Sequence, residues 1–149
     1  MNVSKDFEEL FACLNARGVK YLVVGAYAVA FHAKPRYTKD LDILVETTRE
    51  NAQRLLEALA DFGLGGLKLT AEDFVRPDQV IQVGVVPNRV DFITSISGVG
   101  FEEAWAGRVS GAFGDQRVSY IGKAELISNK RAAGRPQDQI DIDWLTGGP

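Results

Sequence analysis

The chain has 149 residues, the length of one domain at roughly 100–200 residues each, and with 46% hydrophobic and 25% charged residues it is not a disordered chain. No apolar run approaches the ~18 residues of a bilayer span, and Met1 leads into the polar Asn2, Ser4, Lys5 and Asp6, so neither a membrane span nor a secretory signal is expected and a cytoplasmic protein is predicted. Seventeen Lys and Arg against twenty Asp and Glu give a charge of −3, which excludes nonspecific coating of duplex nucleic acid, while a single cysteine (Cys13) and a single histidine exclude an internal disulfide and a Cys/His zinc site.

Residues 4–16 carry Phe7, Leu10, Phe11 and Leu14 at helical spacing, with Ser4 as the expected cap and Gly18 just past the end. Cys13 shares that helix and is expected to pack. Tyr21 to Val24 is a short apolar run ending at Gly25, which reads as a buried strand. The small apolar residues Ala26 to His32 then predict a helix starting directly after the glycine, with His32 as a packed residue. Lys34-Pro35-Arg36 ends it, because a residue before proline is pushed out of helical geometry. Leu41 to Val45 is strand-like. Thr48, Asn51 and Gln53 open an amphipathic helix whose stripe is Leu55, Leu56, Leu59 and Phe62, closing at Gly63.

Gly63, Gly65 and Gly66 mark a loop. Val80 to Val86 and Arg89 to Ser95 form two β-rich runs, and Pro87-Asn88 between them predicts an antiparallel hairpin. Phe101 to Trp105 is a short helix, with Trp105 and Trp144 expected in the core or at an interface. Arg117 to Ile121 is a strand, expected at a sheet edge. Lys123 to Ala133 is helical, Gly134 stops it, and Pro136 restarts a helix as a favoured first residue. No internal repeat or linker divides residues 1–149. The order βαβα, β-hairpin, helices predicts an α/β or α+β domain with a mixed sheet flanked by helices.

The chemistry concentrates in Thr38-Lys39-Asp40-Leu41-Asp42-Ile43. Side chains alternate faces along a strand, so Asp40 and Asp42 share one face, about 6.5–7 Å apart by strand rise. Hard oxygen ligands at that spacing suit Mg²⁺ or Mn²⁺. A third acid, Asp91, lies between Val90 and Phe92, where a carboxylate is costly unless paired or bound to metal.

Gly25-Ala26, then Pro35 to Ile43, then Val90-Asp91-Phe92 resembles the nucleotidyltransferase fold of the DNA polymerase beta superfamily: a glycine at a helix start, an Asp-x-Asp and a downstream acid. Arg36 and Thr38 before the acids, with Asn129 to Asp138 near the end, are similar to small bacterial nucleotidyltransferase-like proteins related to abortive-infection and toxin–antitoxin components. The resemblance covers roughly Val19 to Leu145. It implies that Asp40 and Asp42 hold Mg²⁺ ions bridging the phosphates of a nucleoside triphosphate. Asp91 would complete the second metal site and help deprotonate the attacking hydroxyl. Gly25 and the following helix start, including Ala26, would receive the phosphates. The acceptor would be an RNA or protein hydroxyl, and pyrophosphate the second product.

Ala26 departs from the Gly or Ser usual in that family and carries no hydroxyl for a phosphate. Lys130 and Arg135 either reach a triphosphate or, with Arg131, offset a helix dipole and pair with Asp138 and Asp141. Arg36 is either a phosphate or nucleic-acid contact or a surface-loop arginine. Two functional expectations follow: a Mg²⁺-dependent nucleotidyltransferase, or a non-catalytic nucleotide- or partner-binding toxin–antitoxin component of the same fold. A metal-dependent phosphoesterase would use similar acids, and a second protomer or a partner protein is compatible with either expectation.

Overall fold

In the computed structural model, residues 3–34, 40–84 and 89–147 are described. Strands β1 (Tyr21–Val24), β2 (Leu41–Val45), β3 (Val80–Val83), β4 (Val90–Ile93), β5 (Val109–Phe113) and β6 (Gln116–Tyr120) form one six-stranded sheet in the order β3-β4-β2-β1-β6-β5. The pairs β1–β2, β3–β4 and β5–β6 are antiparallel, whereas β2–β4 and β1–β6 are parallel. The sheet is therefore mixed, as expected.

Strand alternation sorts the apolar residues onto two faces. Tyr21, Val23, Leu41, Ile43, Val45, Val90 and Phe92 join one cluster with Phe7, Leu10, Phe11 and Leu14 of helix α1 (Val3–Ala16) and Leu55 and Leu59 of α3 (Arg49–Leu59). Leu22, Val24 and Leu44 join the other with Ala28 and Val29 of α2 (Gly25–His32), Leu126 of α6 (Lys123–Ala133) and Leu145 of α7 (Pro136–Leu145). With both faces covered, β1 is buried throughout, which is why it reads as a continuous apolar run. Cys13 packs against the first cluster and Trp105 and Trp144 against the second. Among the described residues no helix is long and apolar enough to cross a membrane.

Several boundaries differ from expectation. Helix α1 begins at Val3, one residue before the expected cap Ser4. Helix α3 runs on into a π-helical turn over Ala60–Leu64, where Gly63 takes φ +103°. A five-residue helix, α4 (Ala71–Val75), follows the glycine loop; it is too short to show a hydrophobic period and is announced only by the capping box of Thr70 and Asp73. Helix α5 (Phe101–Ala106) lies where the short helix was expected. The β3–β4 hairpin is antiparallel with Val83 opposite Val90, while the expected turn pair Pro87-Asn88 lies outside the described residues.

The larger correction concerns β6, which is not an edge strand but lies between β1 and β5. Strand β5 has the weak strand sequence Val-Ser-Gly-Ala-Phe, yet the sheet needs its glycine. A Cβ on Gly111 would meet the Phe31 ring at 2.5 Å, and that ring stacks on Tyr120 at a centroid distance of 3.9 Å. The hairpin closes through Gly114 at φ +60°.

The turn before α3 depends on Asn51, which is 2% exposed. Its backbone N–H donates to the Thr48 hydroxyl, its Oδ1 accepts from the Lys20 N–H at 2.8 Å, and its Nδ2 donates to the carbonyls of Lys20 and Glu46. Asn51→Ala removes three side-chain hydrogen bonds, leaving the Lys20 N–H and the Glu46 carbonyl without this partner while the Lys20 carbonyl keeps the Glu46 N–H, and should destabilise the protein by about 2 kcal/mol. Urea unfolding measures this; a loss under about 0.5 kcal/mol, the usual range of a surface change, would contradict it.

Candidate active site

The site begins where β1 becomes α2. Gly25 follows Val24 at φ +67°, and Val24 is the register partner of Asp42. A Cβ on Gly25 would strike Asp42 Oδ2, so the position demands glycine for its backbone angle and for the acid beside it. No side chain caps the first turn of α2, which leaves the amides around Gly25 and Ala26 without a capping partner from a side chain. At the far end of α2, His32 Nε2 lies 2.6 Å from the Ile121 carbonyl oxygen, a packed position away from the acids.

The three acids gather across the parallel pair β2–β4. Asp42 and Asp91 are direct register partners, and Asp40 immediately precedes β2. All three point away from Leu41, Ile43, Val90 and Phe92, which belong to the opposite core. Burial raises the Asp42 carboxyl to about 6, helped by the charges of Asp91 and Asp40 and by a hydrogen bond with Asp91; Lys130 opposes the shift.

Arg89 was not singled out in the sequence, yet it completes this cluster. Its Nη2 donates to Asp40 Oδ2 at 2.9 Å and to Asp91 Oδ2 at 3.3 Å. Its Nε lies 3.2 Å from Asp91 Oδ1 but is misaligned, so both atoms are buried without a hydrogen bond. The available signal was the spacing: the alternation that puts Asp40 beside Asp42 also puts Arg89 beside Asp91. Among the described residues no three carboxylate, histidine or cysteine groups close to metal-ligand spacing, and the guanidinium joins Asp40 to Asp91.

Asp42 opens into a cleft of about 450 Å³ whose lining includes Gly25, Ser95, Ser97, Lys130 and Arg135. Asn129 Nδ2 donates to the Ser97 carbonyl, tying α6 to the loop after β4. Lys130 is 5% exposed and lies 3.0 Å from Asp141 Oδ2 and 3.3 Å from Asp138 Oδ1. Arg135 caps α7, with its Nε 2.8 Å from Asp138 Oδ2 and its backbone N–H donating to the same oxygen. Those bonds hold the Asp138 carboxyl down at about 2. Lys130 and Arg135 thus pair with buried acids, as one of the two readings expected, and both line the cleft. Arg131 is exposed. Arg36 and Thr38 lie outside the described residues.

A glycine-started helix beside two acid-bearing strands of a mixed sheet, with helices on both faces, is a nucleotidyltransferase-like fold. Among solved structures, the lincosamide antibiotic adenylyltransferase LnuA, bound to lincomycin, superposes on it with a TM-score of 0.57 at 12% sequence identity, covering 95% of each chain. At that identity the likeness is one of fold. No known protein family and no curated protein sequence matches this chain.

Two consequences are measurable. Asp42 ionises near pH 4 when unfolded but near 6 when folded, so its burden on stability is absent below pH 4, grows between pH 4 and 6, and is complete above. Asp42→Asn should therefore stabilise the metal-free protein at pH 7.5 by roughly 1–3 kcal/mol, with the gain vanishing toward pH 4. A pH-independent difference in unfolding free energy would refute this. Lys130→Met should cost about 3 kcal/mol at pH 7, because it removes the shared cation of two buried carboxylates. Chemical denaturation checks it.

Proposed function

We propose that the protein is a divalent-metal-dependent nucleotidyltransferase that moves a nucleoside monophosphate from a triphosphate to an acceptor hydroxyl. The observation that carries this reading is the gathering of Asp40, Asp42 and Asp91 across β2 and β4, with Asp42 beside the Gly25 helix start and in the wall of a cleft. The donor chemistry suits Mg²⁺ or Mn²⁺, which one or two hard carboxylates hold together with substrate phosphates, and one carboxylate oxygen, Asp91 Oδ1, is buried without a hydrogen bond, 3.2 Å from Arg89 Nε. Asp40, Asp42 and Asp91 would hold the metal, which when bound supplies charge neutralisation of the phosphates and activation of the attacking oxygen.

The chain's own groups do the rest. The open amides at the start of α2 receive a phosphate oxygen, and Gly25 lets the backbone approach it. Lys130, fixed by Asp138 and Asp141, presents positive charge to the same cleft. Asp91 would take the proton of the attacking hydroxyl. The α-phosphorus–oxygen bond to the acceptor forms as the bond to the leaving pyrophosphate breaks. RNA ends and protein hydroxyls are candidate acceptors, and the lincosamide antibiotic adenylyltransferase of like fold adds an antibiotic to them. One observation favours the non-catalytic toxin–antitoxin alternative: Ala26 offers no hydroxyl at the phosphate-receiving turn.

Calorimetric titration with ATP, GTP, CTP and UTP, with and without Mg²⁺, tests the site. α-Labelled triphosphate with RNA, protein and small-molecule acceptors tests turnover. Mg²⁺-dependent binding and label transfer are expected, with transfer falling at least ~10²-fold in a folded Asp42→Asn. Full transfer by that variant would overturn the assignment, and binding without turnover on any acceptor would select the non-catalytic alternative. Because Asp42 keeps its proton up to about pH 6, Mg²⁺-dependent binding should weaken as pH falls from 7 to 5.

A further inference from the structure

Arg89 has no part in the reaction as written above, yet it is the group most closely engaged with the acids. Its guanidinium reaches Asp40 at 2.9 Å and Asp91 at 3.2 Å, and its carbonyl accepts from the Leu41 N–H, so backbone and side chain both anchor it between β2 and β4. The side chains of Arg89 and Asp40 are about 30% exposed and that of Asp91 is 11% exposed, so water screens these pairs only in part. Three carboxylates crowded on the inner strand pair β2–β4 repel one another, and a cation among them offsets that repulsion.

The bridge is also imperfectly made. An aligned guanidinium gives a carboxylate two parallel hydrogen bonds, whereas here the Nε of Arg89 and Oδ1 of Asp91 face each other at 3.2 Å without one. A purely structural ion pair gains nothing from that misalignment. A pair whose carboxylates have a second, more demanding partner has reason to be held loosely. A divalent ion carries twice the charge and binds the same oxygens directly.

We propose that Arg89 is the resident counter-ion of the carboxylate site: it holds Asp40 and Asp91 together in the metal-free protein, and a divalent cation displaces it from them on binding. Arg89 thereby sets the affinity of the site for metal. The inference rests on the reading of Asp40, Asp42 and Asp91 as metal ligands. It differs from a structural bridge in one respect: a structural bridge stays closed whether metal is present or not.

The test is Mn²⁺ binding by calorimetry to the wild-type protein, Arg89→Gln and Asp42→Asn at one pH and ionic strength, with thermal unfolding of each with and without Mn²⁺. Arg89→Gln should bind Mn²⁺ about tenfold more tightly, the order expected when one competing, partly exposed unit charge is removed. Its metal-free melting temperature should fall below that of the wild type, and Mn²⁺ should raise it more. Equal or weaker Mn²⁺ binding by Arg89→Gln overturns the proposal. If wild type and Arg89→Gln bind alike while Asp42→Asn does not bind, the counter-ion role fails and the metal site stands. If the wild type binds no Mn²⁺, both fail.

A measurement on the native side chain keeps the proposal open to refutation if Arg89→Gln does not fold. The Arg89 Nε–Hε nuclear magnetic resonance signal, assigned with Arg89→Lys, is followed during Mg²⁺ titration. It should move toward the position of a solvent-exposed arginine, with a midpoint matching the calorimetric Kd for Mg²⁺. A signal unmoved at saturating Mg²⁺ overturns the proposal.

Discussion

The parallel pairing of β2 with β4 sets Asp42 directly beside Asp91, with Asp40 at the entry of the same strand. Crowding like charge on two inner strands where it is partly buried is costly, and the neighbouring residues relieve or accommodate it. Gly25 gives up its side chain so that Asp42 fits against the β1–α2 turn. Asp42 keeps a proton well above the normal carboxylate range. Arg89 places its guanidinium on the two outer acids. Each of these adjustments makes sense if the cluster has a use that outweighs its cost to stability.

The sheet separates stability from chemistry. Its α1/α3 face packs Phe7, Phe11, Phe74 and Phe92, each at most 2% exposed, against Leu and Ile side chains. The opposite face carries the second core but leaves room at one end, where the acids and the cleft lie. Because Val90 and Phe92 flank Asp91 in sequence and point the other way, the acid is positioned by residues that take no part in its chemistry. That arrangement gives the site a rigid base.

The second charged cluster has a different logic. Lys130, Asp138 and Asp141 lie in the α6–α7 corner, and Arg135 both caps α7 and bonds Asp138. A buried lysine against two acids contributes little net stability relative to apolar packing, but it fixes where the ammonium sits. Here that place is the wall of the cleft facing Asp42. Two helices separated by the left-handed Gly134 are thus held in one relation by charge as well as by Leu126 and Leu145.

Much of this was legible in the residues alone. The apolar run Tyr21 to Val24, the helix opened by Gly25, the two strands flanking residues 84–89 and the stop at Gly134 all follow local rules of period, turn and cap, and all are observed. The acids were legible too, because a two-residue alternation needs no knowledge of the fold to put Asp40 and Asp42 on one face. Strand β5 and helix α4 were not. The first is chosen by Phe31 and Tyr120 across the sheet rather than by its own strand propensity, and the second is too short to carry a period.

The choice of partners belonged to the tertiary structure. Nothing local says that Asp91 lies against Asp42, that Arg89 bridges to an acid 49 residues away, or that Lys130 serves both a buried acid pair and the cleft. Those relations arise from strand order, and strand order is decided by which faces can be covered on both sides of the sheet. The sequence by itself determined the chemistry available; the fold decided which of those groups meet, because charges interact over a few ångströms of space and not over positions in a chain.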